Sequence, residues 1–238
     1  MQLFGEDYLW FWGPLLSDEQ SDEEVELVWR LLELEPGAAV LDLACGHGRI
    51  ANRLAARGAH VTGLDATPLF LERARADAAA RGVEVEYVEG DMRAIPWRER
   101  FDVIVSWFTS FGYHEDDELR GILRAVRQAL RPGGRFVLET VHLPVLMRQF
   151  RDATVWERDG DLLIERRRLE PLESKMLTEY IAMRGGELRR YRIFVRMFGF
   201  TELRDWLVDA GFSYVTAYGR DGEPLSQEHR RMLVVALA

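Results

Sequence analysis

Three aspartates stand where apolar runs of the chain end, and a glycine-rich turn follows the first of them. Asp42 comes just before the turn that contains Gly46 and Gly48, while Asp65 and Asp91 stand at the ends of the next two runs. Carboxylates accept hydrogen bonds from ribose hydroxyls and amino groups, and glycine lets the backbone approach a ligand closely. The pattern of strand, tight turn, helix and second parallel strand therefore predicts a half-site for a nucleotide-like ligand.

The glycine turn alone fits two cofactors. Gly46, Gly48 and Ala51 satisfy the spacing G-x-G-x-x-A, which NAD-binding and S-adenosylmethionine-binding proteins share. Asp42 would repel a pyrophosphate, whereas the ammonium group of S-adenosylmethionine could interact with this carboxylate directly or through water. Apart from Arg49, no basic residue near the turn is placed to neutralise a pyrophosphate. These residues favour S-adenosylmethionine over a dinucleotide.

The chain resembles the class I S-adenosylmethionine-dependent methyltransferases over residues 22–140 and, more loosely, in its final strands. Five elements carry the resemblance in the family's order: Val40–Gly48, Asp65, Gly90–Asp91–Met92, Phe101–Ser106 and Leu130–Gly134. Ala44 stands where the family usually has glycine, and a residue this small is still expected to permit close backbone approach. The resemblance implies S-adenosyl-L-methionine as the methyl donor and S-adenosyl-L-homocysteine as the product.

The resemblance also implies roles for individual residues. Asp65 is expected to bind both ribose hydroxyls, Asp91 the adenine, and the backbone around His47 the methionine end of the cofactor. The predicted cofactor-binding residues are Asp42, Ala44, Cys45, Gly46, His47, Gly48, Asp65, Ala66, Asp91, Met92, Trp107, Phe108, Tyr8 and Trp12. Tyr8 and Trp12 belong to the aromatic N-terminus, which is predicted to cover the sulfonium with aromatic faces, or else to serve as core or as a dimer contact.

Methyl transfer from a sulfonium is an in-line displacement, for which the protein mainly aligns the nucleophile and excludes water. This chemistry explains why the sequence has no obvious catalytic triad, and no metal site is predicted. His142 follows the fifth predicted strand and is a candidate general base for an amine or hydroxyl nucleophile, or else a surface or capping histidine. Tyr113 and His114, just beyond the fourth strand, are the alternatives.

Apolar periodicity predicts strands that alternate with helices up to residue 140, which favours a parallel sheet with right-handed crossovers. Ser21, with Glu24 three residues later, is predicted to cap the helix before the first strand. Beyond residue 150, Asp159–Asp161 and Gly185–Gly186 separate strand-like runs, so an antiparallel insertion is predicted. We expect an α/β, Rossmann-like, doubly wound fold, which the family resemblance makes a seven-stranded sheet with the last strand antiparallel.

Residues 1–238 are predicted to form a single methyltransferase domain. An aromatic N-terminal cap covers residues 1–20, and an antiparallel β lid covers residues 150–198, between strands five and six. The predicted strands of the core are Ala39–Leu43, His60–Leu64, Val83–Val88, Phe101–Trp107 and Arg135–Glu139. Arginines in the insertion are predicted to form either a solvated strand face or a surface for an anionic substrate or partner; these are Arg166, Arg167, Arg168, Arg190, Arg192 and Arg196.

Composition limits the function classes. The chain is 47% apolar with a net charge of −9, which argues against wholesale binding of nucleic-acid phosphates. Cys45 is the only cysteine, so an internal disulfide and a CxxC metal site are excluded. No apolar run approaches the roughly 20 residues of a membrane span, and Met1–Asp7 lacks the basic start of a signal peptide. We expect a cytoplasmic protein with neither a membrane nor a nucleic acid as partner.

These features together predict an S-adenosylmethionine-dependent methyltransferase that acts on a nitrogen or oxygen nucleophile of a small molecule. A homodimer is one oligomeric state that the sequence allows. Two alternatives stay open: a protein that binds S-adenosylmethionine or S-adenosylhomocysteine without turnover, and an NAD(P)-linked oxidoreductase. Aminopropyl transfer is disfavoured because Ser106–Thr109, at the end of strand four, has no carboxylate to hold a polyamine. The same segment lacks the Asn/Asp-Pro-Pro-aromatic motif of nucleic-acid methylation.

Overall fold

A computed structural model describes residues 3–238, which form two β-sheets and seven α-helices. The strands are β1 (Ala39–Leu43), β2 (His60–Asp65), β3 (Val85–Glu89), β4 (Phe101–Ser106), β5 (Leu130–Val141), β6 (Ala153–Arg158), β7 (Asp161–Glu170), β8 (Lys175–Arg184), β9 (Glu187–Arg196), β10 (Tyr214–Tyr218) and β11 (Arg231–Leu237). The helices are α1 (Glu6–Trp12), α2 (Asp18–Leu31), α3 (Ala51–Ala56), α4 (Pro68–Arg81), α5 (Asp116–Ala129), α6 (Leu143–Arg148) and α7 (Phe200–Asp209).

The larger sheet has seven strands in the order β10-β11-β5-β4-β1-β2-β3. β1 to β5 pair in parallel, whereas β11 is antiparallel to both β5 and β10. This arrangement confirms the predicted fold class, including the reversed last strand. The strand order changes direction between β1 and β4, and open α/β sheets bind ligands beyond the carboxyl ends of the strands at such a point.

Helices cover both faces of the larger sheet because its central strands are apolar on both faces. Successive residues of a strand point to opposite faces, so Val40 and Leu41 of β1 are fully buried in different clusters. Leu41 lies in the cluster of Leu123 on α5, and Val40 lies in that of Leu71 and Ala74 on α4. β1 is thereby held in the middle of the molecule, and its end presents Asp42 to the switch point.

One predicted helix start was wrong. Ser17, rather than Ser21, is the N-cap of α2, where its hydroxyl oxygen accepts a hydrogen bond from the Gln20 N–H at 3.1 Å. Ser21 lies within the helix and donates its hydroxyl to the Ser17 carbonyl at 2.7 Å. Both serines fit a cap by type, and acids that stabilise the first turn of a helix directly follow each of them, so the local pattern does not distinguish the two positions.

The predicted strand boundaries differ from the structure mainly at β5. This strand begins at Leu130 rather than at Arg135, and its register with β4 shifts between the pairs Phe101–Leu130 and Val103–Arg135. Residues 131–134, which belong to the Leu130–Gly134 element of the family resemblance, therefore bulge out of the ladder. Within residues 3–238, the structure contains no helix whose length and hydropathy suit a membrane span.

The smaller sheet is antiparallel, with the order β6-β7-β8-β9, and is inserted in the chain between β5 and β10. The hairpins β6–β7 and β8–β9 confirm the two predicted turns. α1 is attached to this sheet, because Phe11 is buried in one cluster with Leu163 and Tyr191. The aromatic N-terminus is thus a helix that lies against the insertion, and residues 1–2 of the predicted cap lie outside the described residues.

Candidate cofactor-binding site

A cavity of about 310 Å³ opens at the carboxyl ends of β1, β2, β3 and β4. The structure brings most of the predicted cofactor-binding residues to its lining, namely Tyr8, Asp42, Ala44, Cys45, Gly46, His47, Asp65, Ala66, Asp91, Met92, Trp107 and Phe108. Gly48 and Trp12 are the predicted residues that the lining does not include. The residues that sequence reasoning placed on separate elements therefore share one cavity.

The turn after β1 uses left-handed backbone at Ala44, Gly46 and Gly48, where φ is +58°, +55° and +79°. An L-residue in this region costs on the order of 1–2 kcal/mol, which explains why glycine is the usual family residue at the position of Ala44. A Cβ atom on Gly48 would lie 2.3 Å from the Tyr87 hydroxyl and 2.8 Å from the Ala74 Cβ. Gly48 therefore allows the turn to pack against β3 and α4.

Asp65 fixes the glycine turn as well as lining the cavity. Its Oδ2 accepts a hydrogen bond from the Gly46 N–H at 2.8 Å, and its Oδ1 accepts one from the Thr67 N–H at 2.8 Å. A carboxylate has about four acceptor positions, so two remain for the hydroxyls of a ligand. Asp65 is 9% exposed, and hydrogen bonds to such a sheltered charge are the strong ones.

Asp42 carries a buried oxygen that no group within residues 3–238 satisfies. The side chain is 2% exposed and lines the cavity, and its Oδ2 has no hydrogen-bond partner among these residues. Burial raises the pKa of Asp42 to about 7, against the opposing influence of Arg49. An orphaned carboxylate oxygen at a cavity is complementary to a cation, and the ammonium group of S-adenosylmethionine fits this requirement.

Asp91, predicted to bind adenine, lines the cavity but is already paired. The Arg93 guanidinium donates to both of its carboxylate oxygens at distances of 2.6 to 3.1 Å, and the Arg93 N–H donates to Oδ1 at 2.8 Å. These hydrogen bonds hold the pKa of Asp91 down, at about 2. Arg93 also reaches Glu118 at 2.6 Å, so a pair that sequence reasoning missed borders the adenine side of the predicted site.

Aromatic rings form another part of the lining. Phe4 lies 5.5 Å from Tyr8 and 5.1 Å from Tyr113, measured between ring centroids, and Tyr8 lies 5.5 Å from Phe70. The N-terminal segment thereby contacts two parts of the core that border the cavity. Burial raises the pKa of Tyr8, and it raises the pKa of Tyr113 to about 12. Both phenols are therefore protonated at neutral pH and able to donate hydrogen bonds.

Trp12 and His47 contribute in different ways. Trp12 stacks on Tyr8 at 5.2 Å and meets Tyr180 of the insertion edge-on at 5.3 Å, so it supports Tyr8 without lining the cavity. His47 does line the cavity, and its imidazole lies 6.4 Å from the ring of Phe70, measured between centroids. Burial, together with the nearby Arg49, lowers the pKa of His47 to about 4, so its ring is neutral at physiological pH.

The corner after β4 is strained. Phe108 and Thr109 both have left-handed backbone, with φ of +58° and +66°. Each costs on the order of 1–3 kcal/mol, and strain of this kind collects at functional sites. The ring of Phe108 lines the cavity and lies 5.9 Å from the Arg49 guanidinium and 5.7 Å from that of Arg231.

The candidate general base His142 does not reach the cavity. It is 6% exposed, does not line the cavity, and its Nδ1 lies 2.8 Å from the carbonyl oxygen of His229. This contact fixes the ring against the segment that precedes β11, at the N-cap of α6. Tyr113 and His114, the alternatives, do line the cavity. Burial lowers the pKa of His114, which leaves its imidazole neutral and able to accept a proton.

The arginines of the insertion do not line the cavity, and they do not share one environment. Arg192 is exposed and donates to Glu179 at 2.9 Å, as expected for a solvated strand face. Arg196 is 5% exposed and is paired with Asp116 at 2.8 Å and with Glu202. The part of the expectation that placed Arg196 on a solvated face is therefore wrong, because this side chain links β9 to α5 and α7.

Comparison with known proteins agrees with this geometry. Residues 40–134 match the family model described as a methyltransferase domain. An uncharacterized methyltransferase of Synechocystis is 35% identical over 53% of the chain, which spans 62% of that relative's length. An S-adenosylmethionine-dependent methyltransferase of Clostridium acetobutylicum superposes with a TM-score of 0.78 at 15% identity, over 97% of this chain and 96% of the other. The sugar N-methyltransferase KedS8 of Streptoalloteichus superposes with a TM-score of 0.72 at 23% identity, over 100% and 94%.

The matched segment contains the glycine turn, Asp65 and Asp91, and the structural likeness extends over both sheets. The solved neighbour from Clostridium acetobutylicum is described as S-adenosylmethionine-dependent, and the cationic end of that compound suits the Asp42 oxygen that has no partner within residues 3–238. Residues 40–134 thus match a methyltransferase domain, and the described chain has the fold of solved S-adenosylmethionine-dependent methyltransferases.

Proposed function

We propose that this protein transfers the methyl group of S-adenosylmethionine to a nitrogen or oxygen nucleophile of a small molecule. The observation that carries the proposal is the Oδ2 of Asp42, which has no hydrogen-bond partner among residues 3–238 and is buried at a cavity that aromatic residues also line. A carboxylate attracts the ammonium group, and aromatic faces attract a sulfonium, so the two features together suit a cofactor with two cationic centres.

In the proposed complex, each end of the cofactor has its own partners. Asp65 would accept hydrogen bonds from the ribose hydroxyls through its remaining acceptor positions, and Asp42 would bind the ammonium group directly or through water. The backbone beside Gly46 would contact the methionine end, while Asp91 and Met92 would border the adenine. The support is that these residues, which come from four different elements of the chain, line one cavity.

The acceptor is proposed to bind beside Tyr8, Tyr113 and His114. The sulfonium supplies an already activated methyl group, so the protein has to align the nucleophile and exclude water. His114 is neutral at physiological pH and could accept the proton that an amine or hydroxyl loses, whereas His142 is held away from the cavity. The likeness to a sugar N-methyltransferase favours nitrogen as the acceptor atom.

The N-terminal cap (1–20) and the insertion (150–198) are proposed to close over the bound acceptor. α1 supports this role because Tyr8 lines the cavity while Trp12 contacts the insertion. Within this proposal the two segments act as a wall that excludes water. A cytoplasmic location and a homodimer also stay proposals, which fractionation of cells and light scattering of the purified protein would test.

Calorimetry combined with a turnover assay tests the proposed function. The purified protein should bind S-adenosylmethionine and S-adenosylhomocysteine and should ignore NAD(H). It should release S-adenosylhomocysteine when supplied with a panel of small amines and hydroxyl compounds. Binding of NAD(H) alone would establish the oxidoreductase alternative. Tight cofactor binding with no methylated product from the whole panel would favour the binding protein without turnover.

A further inference from the structure

Two buried carboxylates stand just outside the lining of the cofactor cavity. Glu24 of α2 is 4% exposed, and Glu139 of β5 is fully buried. Arg220, in the segment between β10 and β11, bridges them. Its guanidinium donates to Glu139 Oε1 at 2.9 and 3.1 Å, and its Nη1 lies 3.0 Å from Glu24 Oε1. Burying a charge costs free energy even when the charge has a partner. The presence of this buried network beside the cavity therefore points to a role beyond stability.

Each carboxylate is connected to one side of the cavity. Glu24 accepts a hydrogen bond from Trp107 Nε1 at 3.0 Å and is paired with Arg49, and both partners line the cavity. Glu139 accepts a hydrogen bond from the Phe108 N–H at 2.9 Å, and Phe108 also lines the cavity. The network thus joins the glycine turn to the corner after β4.

The strained corner is held by three contacts that all involve this network. The Phe108 N–H donates to the Glu139 carboxylate, and the Thr109 N–H donates to the Glu139 carbonyl at 3.0 Å. Arg231, which is itself paired with Glu139, donates to the Thr109 hydroxyl at 2.6 Å. Left-handed residues other than glycine persist only where their surroundings determine the backbone several times over.

We propose that Glu139 and Arg220 are positioning residues of the cofactor site. Glu139 holds the Phe108–Thr109 corner in its left-handed form, and Arg220 couples that corner through Glu24 to the glycine turn. Neither side chain lines the cavity, so both act through the residues that do. This inference rests on the proposed function for its affinity readout alone, because the conformation of the corner can be measured without any cofactor.

A conservative change at Arg220 tests the coupling. Lysine keeps the charge but lacks the planar fork that reaches both carboxylates, so Arg220→Lys should raise the Kd for S-adenosylhomocysteine about tenfold. Amide hydrogen exchange at Phe108 and Thr109 should become faster in the same variant. Arg135→Lys is the matched control, since Arg135 is 31% exposed against 29% for Arg220 and also pairs with an acid, Glu33.

The control should lower the melting temperature by a similar amount and leave both the Kd and the exchange of the corner amides unchanged. The proposal is overturned if Arg220→Lys keeps wild-type affinity and exchange, or if Arg135→Lys changes them equally. If the wild-type protein binds no S-adenosylhomocysteine, the proposed function fails, while the exchange rates of the two arginine variants still decide whether the network holds the corner.

A double variant separates positioning from general stability. Glu139→Asp keeps the charge but withdraws the carboxylate from the Phe108 N–H, and it should weaken S-adenosylhomocysteine binding about tenfold. Thr109→Gly in that background should restore at least a third of the lost factor, because glycine adopts positive φ without support. A role confined to stability predicts no recovery of affinity, and that result would also overturn the proposal.

Discussion

The hydroxyl of Tyr191 donates a 2.6 Å hydrogen bond to the carboxylate of Asp7, and this contact joins the N-terminal helix to the last strand of the insertion. Asp7 is 5% exposed and also accepts from Arg189 at 2.9 Å and from Arg184 at 3.2 Å. Tyr8, the next residue along α1, lines the cavity. The position of an aromatic lining residue therefore depends on charges that belong to the insertion.

Asp7→Asn should loosen this attachment. The substitution removes the charge that two arginines share, so we expect weaker S-adenosylhomocysteine binding by about three- to tenfold, mainly through faster dissociation. Stopped-flow displacement measures the dissociation rate. Glu187→Gln is the control, since Glu187 pairs with the same Arg189 from an exposed position and should leave dissociation unchanged. Equal dissociation rates for Asp7→Asn and wild type would contradict the proposed role of α1.

Asp65 offers a test of the cofactor side. Asp65→Ala removes the proposed ribose acceptor together with two hydrogen bonds that hold the turn. A loss of about 1.5–3 kcal/mol is expected, which corresponds to roughly tenfold to hundredfold weaker binding of S-adenosylmethionine by calorimetry. Asp102→Ala is the comparison, because Asp102 also accepts from a backbone N–H, that of Ala39 at 2.8 Å, and does not line the cavity. Similar affinity losses in both variants would argue against a ribose contact.

The protonation of Asp42 should make stability and cofactor binding depend on pH in opposite ways. Its pKa is raised by burial from 3.8 to about 7, so its contribution to stability is complete below pH 3.8 and is lost as the pH rises through about 7. Asp42→Asn should therefore raise the melting temperature over wild type at about pH 8 more than at about pH 5.

Cofactor binding should show the reverse trend, because the carboxylate attracts the ammonium group only when ionised. Wild-type affinity for S-adenosylmethionine should increase between about pH 6 and pH 8, and Asp42→Asn should bind more weakly with a flatter profile. The charges of Arg49 and Asp65 also act on the Asp42 carboxyl. Cys45→Ser is the control, because Cys45 lies beside the same carboxyl and its substitution should leave the slope of affinity against pH unchanged. An unchanged slope in Asp42→Asn would contradict the proposed ammonium contact.

The core strands and the glycine turn were predictable because their signals are local. An apolar run, a carboxylate and a glycine turn lie within a few residues of one another, and the ends of parallel strands necessarily meet at one edge of the sheet. Pro68–Arg81 likewise carries local signals, a proline in its first turn and Gly82 directly after its last residue, and it forms α4. Asp42 and Asp65 therefore reached the cavity as the sequence predicted.

The partners of the charged residues were not predictable. Glu139 is paired with Arg231, 92 positions along the chain, and Asp7 with Arg189, 182 positions along. With 31 basic and 40 acidic side chains, the sequence allows too many pairings for spacing alone to identify these two. His142 illustrates the same difficulty, since only the fold brings the His229 carbonyl to its ring. Reasoning from the local sequence identified His142 as a candidate but could not identify the carbonyl that binds its ring.

Two glycines separate the effect of backbone strain from that of close packing. Gly48→Ala and Gly37→Ala both place a Cβ on a residue with positive φ, +79° and +91°. The new methyl group at residue 48 would meet Tyr87 at 2.3 Å and Ala74 at 2.8 Å, whereas at residue 37 no atom of the described part of the chain lies within 4 Å. Both variants should lose about 1 kcal/mol through strain, and Gly48→Ala should lose about 1–3 kcal/mol more by forcing α4 away from the turn. Urea unfolding measures the difference, and equal losses would show that the turn tolerates displacement at Gly48.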